Sequence, residues 1–257
     1  MDILPCVQRY GTFVKSSLTE IKLTHKTAPF TYEPRYSNPY QYQKWFESRM
    51  KEVLEEARRK QASVIKCSID DVPTYAVKTP LQKAVQLLKR HRDVYFQEDN
   101  DNAPISIIIT TLAALAYHNE RDVYAALCSI VRDMPKFIEL RNRQYWIANP
   151  VMADENFADK WNETTAKKRA FDQWLSKVRL DLIENPLHCF GIHQYSKIFS
   201  KNRGKAPVDR AVAAMGKEAK TASDTGNLAM KAGTGMLVDR STSSGLMEVK
   251  PHSFYGE

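Results

Sequence analysis

Residues 104–117 read Pro-Ile-Ser-Ile-Ile-Ile-Thr-Thr-Leu-Ala-Ala-Leu-Ala-Tyr, a stretch without a single charge. A helix that is apolar nearly all round has no face to show to water, so other elements must enclose it. That requirement constrains the fold more than any other feature of the chain. The segment just before it supplies a neighbour. Thr79 and Pro80 open a helix, the threonine as N-cap and the proline at a first position where its missing N–H costs nothing. Leu81, Ala84, Val85, Leu88 and Tyr95 then recur at helical spacing. The other face carries Lys83, Lys89, Arg90 and Arg92. The buried helix is read from Pro104, with Ser106, Thr110 and Thr111 as its aliphatic hydroxyls. A lysine charge, a hydroxyl and the N–H groups of a helix start can together make a phosphate site. The competing reading is a solvated basic face on an ordinary packed pair.

The flanking sequence is a little strand, then helices, then a polar tail, which makes an α+β chain that is mostly helical. The first residues, Met-Asp-Ile-Leu-Pro-Cys-Val-Gln, look like a strand. Residues 18–26 alternate, with Ile21, Leu23 and His25 on one side and Glu20, Lys22 and Thr24 on the other, as a half-buried strand does. Residues 27–39, with three prolines and three aromatics, read as a loop. Ser37-Asn38-Pro39 launches a helix whose stripe is Tyr42, Trp45, Phe46, Met50, Val53, Leu54 and Ala57. Residues 62–78 read as irregular. A further helix spans Asn119 to Met134, facing inward with Val123, Ala126, Leu127, Ile130, Val131 and Met134, and Cys128 reads as core. A loop carries Trp146 and Asn149-Pro150. One long helix, or two broken within Asn162–Lys168, covers about 154–184 with Phe157, Trp161, Phe171, Trp174, Leu175, Val178 and Leu182. Composition shifts after 196. Residues 200–246 read as mobile or disordered apart from a short helix at Val208–Met215.

The formal charge of +8 over 257 residues favours polyanionic partners such as nucleotides and says nothing about fold. The four cysteines form no CxxC pair, so neither a zinc site nor a disulfide framework is indicated. No apolar run reaches membrane-spanning length, and no signal-peptide pattern opens the chain, which together point to a cytoplasmic protein. Two-metal phosphoryl chemistry needs gathered carboxylates. Asp2 stands beside a strand, a usual mounting for one, but one aspartate cannot hold two metals. Asp70 and Asp71 would point to opposite faces, and Asp99 and Asp101 read as turn residues. His188 and His193 do not have helical metal-pair spacing. His91-Arg92-Asp93 matches a kinase tripeptide but lies mid-helix without the downstream asparagine. Walker A, HExxH and GxSxG patterns do not occur.

Seven separated blocks, in order, resemble one family: Met-Asp-Ile-Leu-Pro, Ile-Lys-Leu-Thr-His-Lys, Tyr-Ser-Asn-Pro with Trp-Phe, the block from Thr79 through Asp93, Pro-Ile-Ser-Ile-Ile-Ile-Thr-Thr-Leu-Ala-Ala, Glu-Asn-Phe-Ala-Asp-Lys-Trp, and His-Ser-Phe-Tyr-Gly. These are similar to the bacterial cyclic-oligonucleotide second-messenger synthetases, nucleotidyltransferases of anti-phage signalling related to cyclic GMP-AMP synthase and oligoadenylate synthetase. The resemblance implies strands of a polymerase-β-like nucleotidyltransferase core over 1–38 and a helical lobe like the oligoadenylate synthetase C-terminal domain over 39–198. A polar flexible segment at 199–246 and an aromatic one at 247–257 follow. It implies a reaction that joins nucleoside triphosphates, releases pyrophosphate and uses a two-ion Mg²⁺ site. Asp2 matches the third acidic metal ligand and so a catalytic position. Lys89 matches the lysine on the donor triphosphate, and Ser106 the serine beside it. Ile107 stands where the animal synthase stacks a tyrosine on the base. The implied partners are nucleoside triphosphates and a regulatory protein, with no membrane and no stable nucleic-acid partner. The family's Gly-Ser turn followed by Asp-x-Asp does not occur. The chain therefore reads as the C-terminal portion of such an enzyme, catalytically incomplete alone. The alternative is a non-catalytic helical module that binds nucleotide or nucleic acid.

Overall fold

A computed structural model describes residues 7–8, 19–29, 31–185, 196, 200, 205–231, 237–240 and 246–248. The chain divides into two compact units, Met1–Ile183 and Glu184–Glu257. Among the described residues no helix is long and apolar enough to cross a membrane.

The first unit opens with a three-stranded antiparallel sheet in the order β1 (Val7–Gln8), β2 (Ile21–Ala28), β3 (Thr31–Ser37). The expected alternation holds along β2, where Ile21 and Leu23 are half-buried and Lys22 and Thr24 exposed. The 27–39 segment is not a loop, because most of it is β3. Pro34 can sit in this strand because β3 is the sheet's edge, where a missing N–H need not interrupt a ladder on both sides.

The expected single helix after Asn38 is two, α1 (Pro39–Ser48) and α2 (Lys51–Ile65). Asn38 caps α1 by accepting from the Gln41 N–H at 3.1 Å. The axis breaks at Met50, whose φ of −126° is not helical. The apolar stripe runs across the break, half-buried at Tyr42, Trp45 and Phe46 and buried at Met50, Val53 and Leu54, and neither Gly nor Pro marks it. α2 continues to Ile65, and two 3₁₀ turns, Ile69–Asp71 and Thr74–Ala76, fill the rest of the region read as irregular.

Three helices then make the centre: α3 (Pro80–Tyr95), α4 (Ser106–Ala116) and α5 (Val123–Asp133). α3 packs on α4, α5 and the later helix Thr165–Arg179, and α4 also packs on α5. Ile108, Ile109, Leu112, Ala113, Ala114 and Ala116 of α4 are each at most 1% exposed, as an all-round apolar helix requires. Burying each of the three large ones contributes about 1.5–3 kcal/mol. The helix starts at Ser106 and not Pro104. α5 starts at Val123 and not Asn119, because Asp122 caps it through the N–H groups of Tyr124 and Ala125 at 2.9 Å each. Tyr95 is 41% exposed and does not belong to the core. Its place on the inner face of α3 is taken by His91, which is 2% exposed. Cys128 is half-buried, outside the core, and burial still pushes its thiol pKa up.

The region read as a loop around Trp146 holds two small hairpins: β4 (Glu139–Arg141) with β5 (Gln144–Trp146), and β6 (Ala148–Asn149) with β7 (Met152–Asn156). Asn142 and Arg143 turn the first with φ of 49° and 64°, the left-handed pair that a two-residue hairpin prefers. The expected break in the last long helix falls at Thr164, between α6 (Asp159–Glu163) and α7 (Thr165–Arg179). Phe157 ends β7's turn half-buried, while Trp161, Phe171, Trp174, Leu175, Val178 and Leu182 are buried as read. A π-helical turn, Leu180–Glu184, follows α7. It turns Asp181 inward, where its carboxylate meets His91 Nε2 at 3.2 Å and also Lys177, fixing α3 to the end of α7.

In the second unit the helix is longer than Val208–Met215: α8 covers Lys205–Asp224. Its Ala, Lys and Glu content suits a helix even with few large apolar groups. Gly226 ends it at φ 68°, with the Asn227 N–H donating to the Ala222 carbonyl at 2.7 Å, a left-handed glycine cap. A three-stranded sheet, β10 (Leu246–Glu248), β8 (Leu228–Lys231), β9 (Leu237–Asp239), stands where no strands were expected. Residues 249–257 of the expected aromatic segment, and His188, Cys189 and His193, lie outside the described residues.

Two side chains settle the polar groups of α4. Arg49 donates to the carbonyls of Ala114 at 2.9 Å, Tyr117 at 3.2 Å and Leu115 at 3.5 Å, capping the C-terminal end. The Tyr42 and Thr111 hydroxyls lie 2.8 Å apart, and burial pushes the Tyr42 phenol up to about 12. Replacing Arg49 by Met should cost about 1.5–3 kcal/mol, because charged donors to buried carbonyls are lost together. Denaturant unfolding of the two forms checks this. At the end of α5, Asp133 is held by Arg132 at 2.7 Å, Lys136 at 2.6 Å and His118 at 3.2 Å. These partners, Arg132 first, hold its carboxyl well below the ordinary 3.8. A depressed folded pKa gives stability that is present above the unfolded value and lost as pH falls below it. Unfolding measured from pH 6 down to about pH 2 should therefore show a decline below about pH 4 that is shallower in Asp133→Asn.

Candidate functional site

The basic face of α3 and the start of α4 come together at one place. Thr79 and Gln82 form a reciprocal cap, with the Gln82 N–H donating to Thr79 Oγ1 at 3.3 Å and the Thr79 N–H to Gln82 Oε1 at 2.9 Å. Leu81, Ala84, Val85 and Leu88 anchor the inner face. That fixes the rotation of α3, leaving Lys83 and Arg90 exposed and Lys89 and Arg92 half-buried. The connection to α4 is a 3₁₀ turn, Asn100–Asn102, in which Asp99 accepts from the Asn102 amide at 3.0 Å. Asp99 and Asp101 are thus turn residues, as their sequence setting suggested. Lys167 of α7 reaches the Asp101 carbonyl and holds the turn.

Arg92 joins the two helices. Its Nη1 donates to the Ser106 hydroxyl at 2.9 Å and to the Pro104 carbonyl at 3.1 Å. Its Nε and Nη2 donate to one oxygen of Asp93, at 2.9 and 2.5 Å. Lys89 lies one helical turn before Arg92, on the same side of α3. Ser106 is exposed at the first position of α4, and no side chain caps that helix start. Ser106 is thus bonded to the residue one helical turn from Lys89. Sequence reasoning had counted Arg92 only as one of four cations on a face. Its i, i+3 spacing from Lys89 was the available signal.

The electrostatics suit an anion. Burial, and after it the charge of Arg92, lower the Lys89 pKa from the ordinary 10.5, with Asp93 partly offsetting them. A cation desolvated beside another cation gains from a negative ligand. Asp2, the expected metal ligand, lies outside the described residues. Among the described residues no group of three or more His, Cys, Asp or Glu side chains is gathered to hold a metal ion.

No protein-family model matches the chain. Curated relatives do. The chain is 31% identical over 229 residues to a c-di-GMP synthase of Roseivirga ehrenbergii, across 86% of this chain and 57% of that protein. This chain is a relative of the bacterial cyclic-dinucleotide synthases. It is also 23% identical over 189 residues to the cyclic dinucleotide synthase CdnG of Bradyrhizobium diazoefficiens, across 68% of this chain and 45% of that protein. The chain thus spans about half the length of these synthases. Its fold is that of a solved CD-NTase, B. diazoefficiens CdnG in complex with GTP, with a TM-score of 0.59 and 21% identity over 81% of this chain and 62% of that one. The α+β, mostly helical architecture is accordingly that of a cyclic-dinucleotide synthase.

The causes of the Lys89 shift can be separated by titrating its side chain by NMR. Arg92→Gln should move the Lys89 titration up, because a neighbouring positive charge is gone. Asp93→Asn should move it down, because the offsetting negative charge is gone.

Proposed function

We propose that these residues hold the donor triphosphate of a nucleotidyltransferase of the cyclic di- and oligonucleotide second-messenger class. In that reaction a 3′-hydroxyl attacks the α-phosphate of a bound nucleoside triphosphate, and pyrophosphate leaves. Lys89 supplies the charge to phosphate oxygens. Ser106 supplies a hydroxyl donor, and the N–H groups of the first turn of α4 add to it. The observation that carries this reading is that Ser106 accepts from Arg92, one helical turn from Lys89, in a chain related to cyclic-dinucleotide synthases, Lys89 and Ser106 having been matched to triphosphate residues by resemblance alone. CdnG, which shares the fold, is solved with GTP, so GTP is the first nucleotide to test.

Magnesium would activate the attacking hydroxyl and screen the charge on the leaving pyrophosphate. Asp2 would be one of its ligands. The others would be carboxylates of a Gly-Ser and Asp-x-Asp arrangement, which these 257 residues do not contain. In this reading the 257 residues bind a triphosphate without turning it over. The setting is anti-phage signalling in the cytoplasm.

Calorimetry of GTP binding checks the reading. Lys89→Ala and Ser106→Ala should each weaken binding roughly tenfold to a hundredfold, the worth of one charge-assisted bond. Affinity should also decline as pH rises toward the lowered Lys89 pKa, at a lower pH than an ordinary lysine near 10.5 would give, because deprotonation removes the charge. A folded parent chain that does not bind GTP would refute it. Binding that is the same in both mutants would leave only a basic surface.

A further inference from the structure

We infer that Arg92 is a positioning residue of the triphosphate site, acting through the Ser106 hydroxyl and not as a phosphate ligand. The inference rests on the proposed triphosphate site and goes beyond it by giving Arg92 a role of its own.

The donors of Arg92 are already committed. Nη1 serves the Ser106 hydroxyl and the Pro104 carbonyl, at 2.9 and 3.1 Å. Nε and Nη2 serve Asp93. A guanidinium has five N–H donors in a rigid fork, and here the fork is fixed on both sides. Asp93 also offsets the guanidinium charge. Arg92 therefore has little left to give a phosphate, either as charge or as donors. Lys89 is different. Among the described residues no carboxylate or carbonyl holds its ammonium, and its pKa is lowered.

The bond to Ser106 has a directional consequence. A hydroxyl has one proton and two acceptor lone pairs. Its oxygen accepts from Arg92, so one lone pair is occupied and the O–H is left to donate elsewhere. Accepting from a cation also polarises the O–H and strengthens the bond it then donates. The Ser106 side chain is exposed, so that donated bond is directed to a solvent-side acceptor, here a phosphate oxygen. The bond to the Pro104 carbonyl fixes the residue two before Ser106 and so the entry to α4. Arg92 thereby converts a freely rotating serine into an aimed donor. A lysine at this position cannot reproduce the effect, because it is a point charge without the fork.

A double-mutant cycle on GTP binding by the full chain tests this. Arg92→Met alone should weaken GTP binding about tenfold, and in the Ser106→Ala background the same change should cost less than about twofold, the non-additivity of residues acting as one unit. Arg92→Lys should weaken binding as Arg92→Met does. Asp93→Asn, which keeps the guanidinium but frees half the fork, should weaken it in the same direction by less. Thermal unfolding of each variant identifies any that fail to fold, and Arg92→Lys then carries the cycle. An Arg92 effect of equal size with and without Ser106, or rescue by Arg92→Lys, would mean that the guanidinium contacts phosphate directly, and the inference falls. Full binding by Arg92→Met would also overturn it. If the folded parent does not bind GTP, the triphosphate reading fails and takes this inference with it. Binding by the parent without coupling removes this inference alone.

Discussion

The first unit depends on keeping α4 away from water. A helix with no polar face is stable only inside a shell, and its polar ends must be answered by other elements. Each neighbour contributes. α3 and α5 cover its sides, Tyr42 of α1 meets Thr111, and Arg49, at the break between α1 and α2, takes the carbonyls at its C-terminal end. The N-terminal end is treated differently. Ser106 is exposed there and receives Arg92. One end of the buried helix is closed by a cation on its carbonyls, and the other is left presenting donors.

In the proposed site that asymmetry is what favours a ligand at the helix start. Helix starts favour anions and helix ends favour cations. Here the start of α4 receives an arginine whose charge is offset by Asp93, and one turn away on α3 stands a lysine kept partly out of water. The rigid part of the lobe extends to the last helices. His91 and Asp181, both almost fully buried, fix α3 to the π-helical turn after α7. Lys89 and Arg92 flank His91 in sequence, so the pair that holds α3 in place also holds the rotation that presents them.

Much of this was legible in the sequence because it rests on periodicity. The enclosed helix, the Thr79 and Pro80 start, the faces of α5 and α7 and the break before α7 all follow from residue spacing. The family resemblance is borne out by the c-di-GMP synthase relative and by the CdnG fold. Other features depend on tertiary partners that spacing does not carry. Pro34 looked like a loop residue because nothing local shows that its strand is an edge. The break at Met50 has no glycine or proline to mark it. His91 read only as part of a His-Arg-Asp tripeptide in mid-helix, and its buried partner Asp181 lies far along the chain. α8 was underestimated because a helix of small and charged residues carries little apolar signal. At the site, Lys89 and Ser106 came from resemblance, and their link through Arg92 became visible only in three dimensions.

In the proposed site the start of α4 and the facing turn of α3 form one anion-binding surface. Amide hydrogen exchange, followed with and without GTP, tests it most directly. GTP should slow exchange at Ser106 and Ile107, because N–H groups at the start of α4 acquire an acceptor. Exchange within the buried middle of α4 should change little. GTP binding with unchanged exchange at Ser106 and Ile107, and protection confined to other parts of the chain, would contradict it.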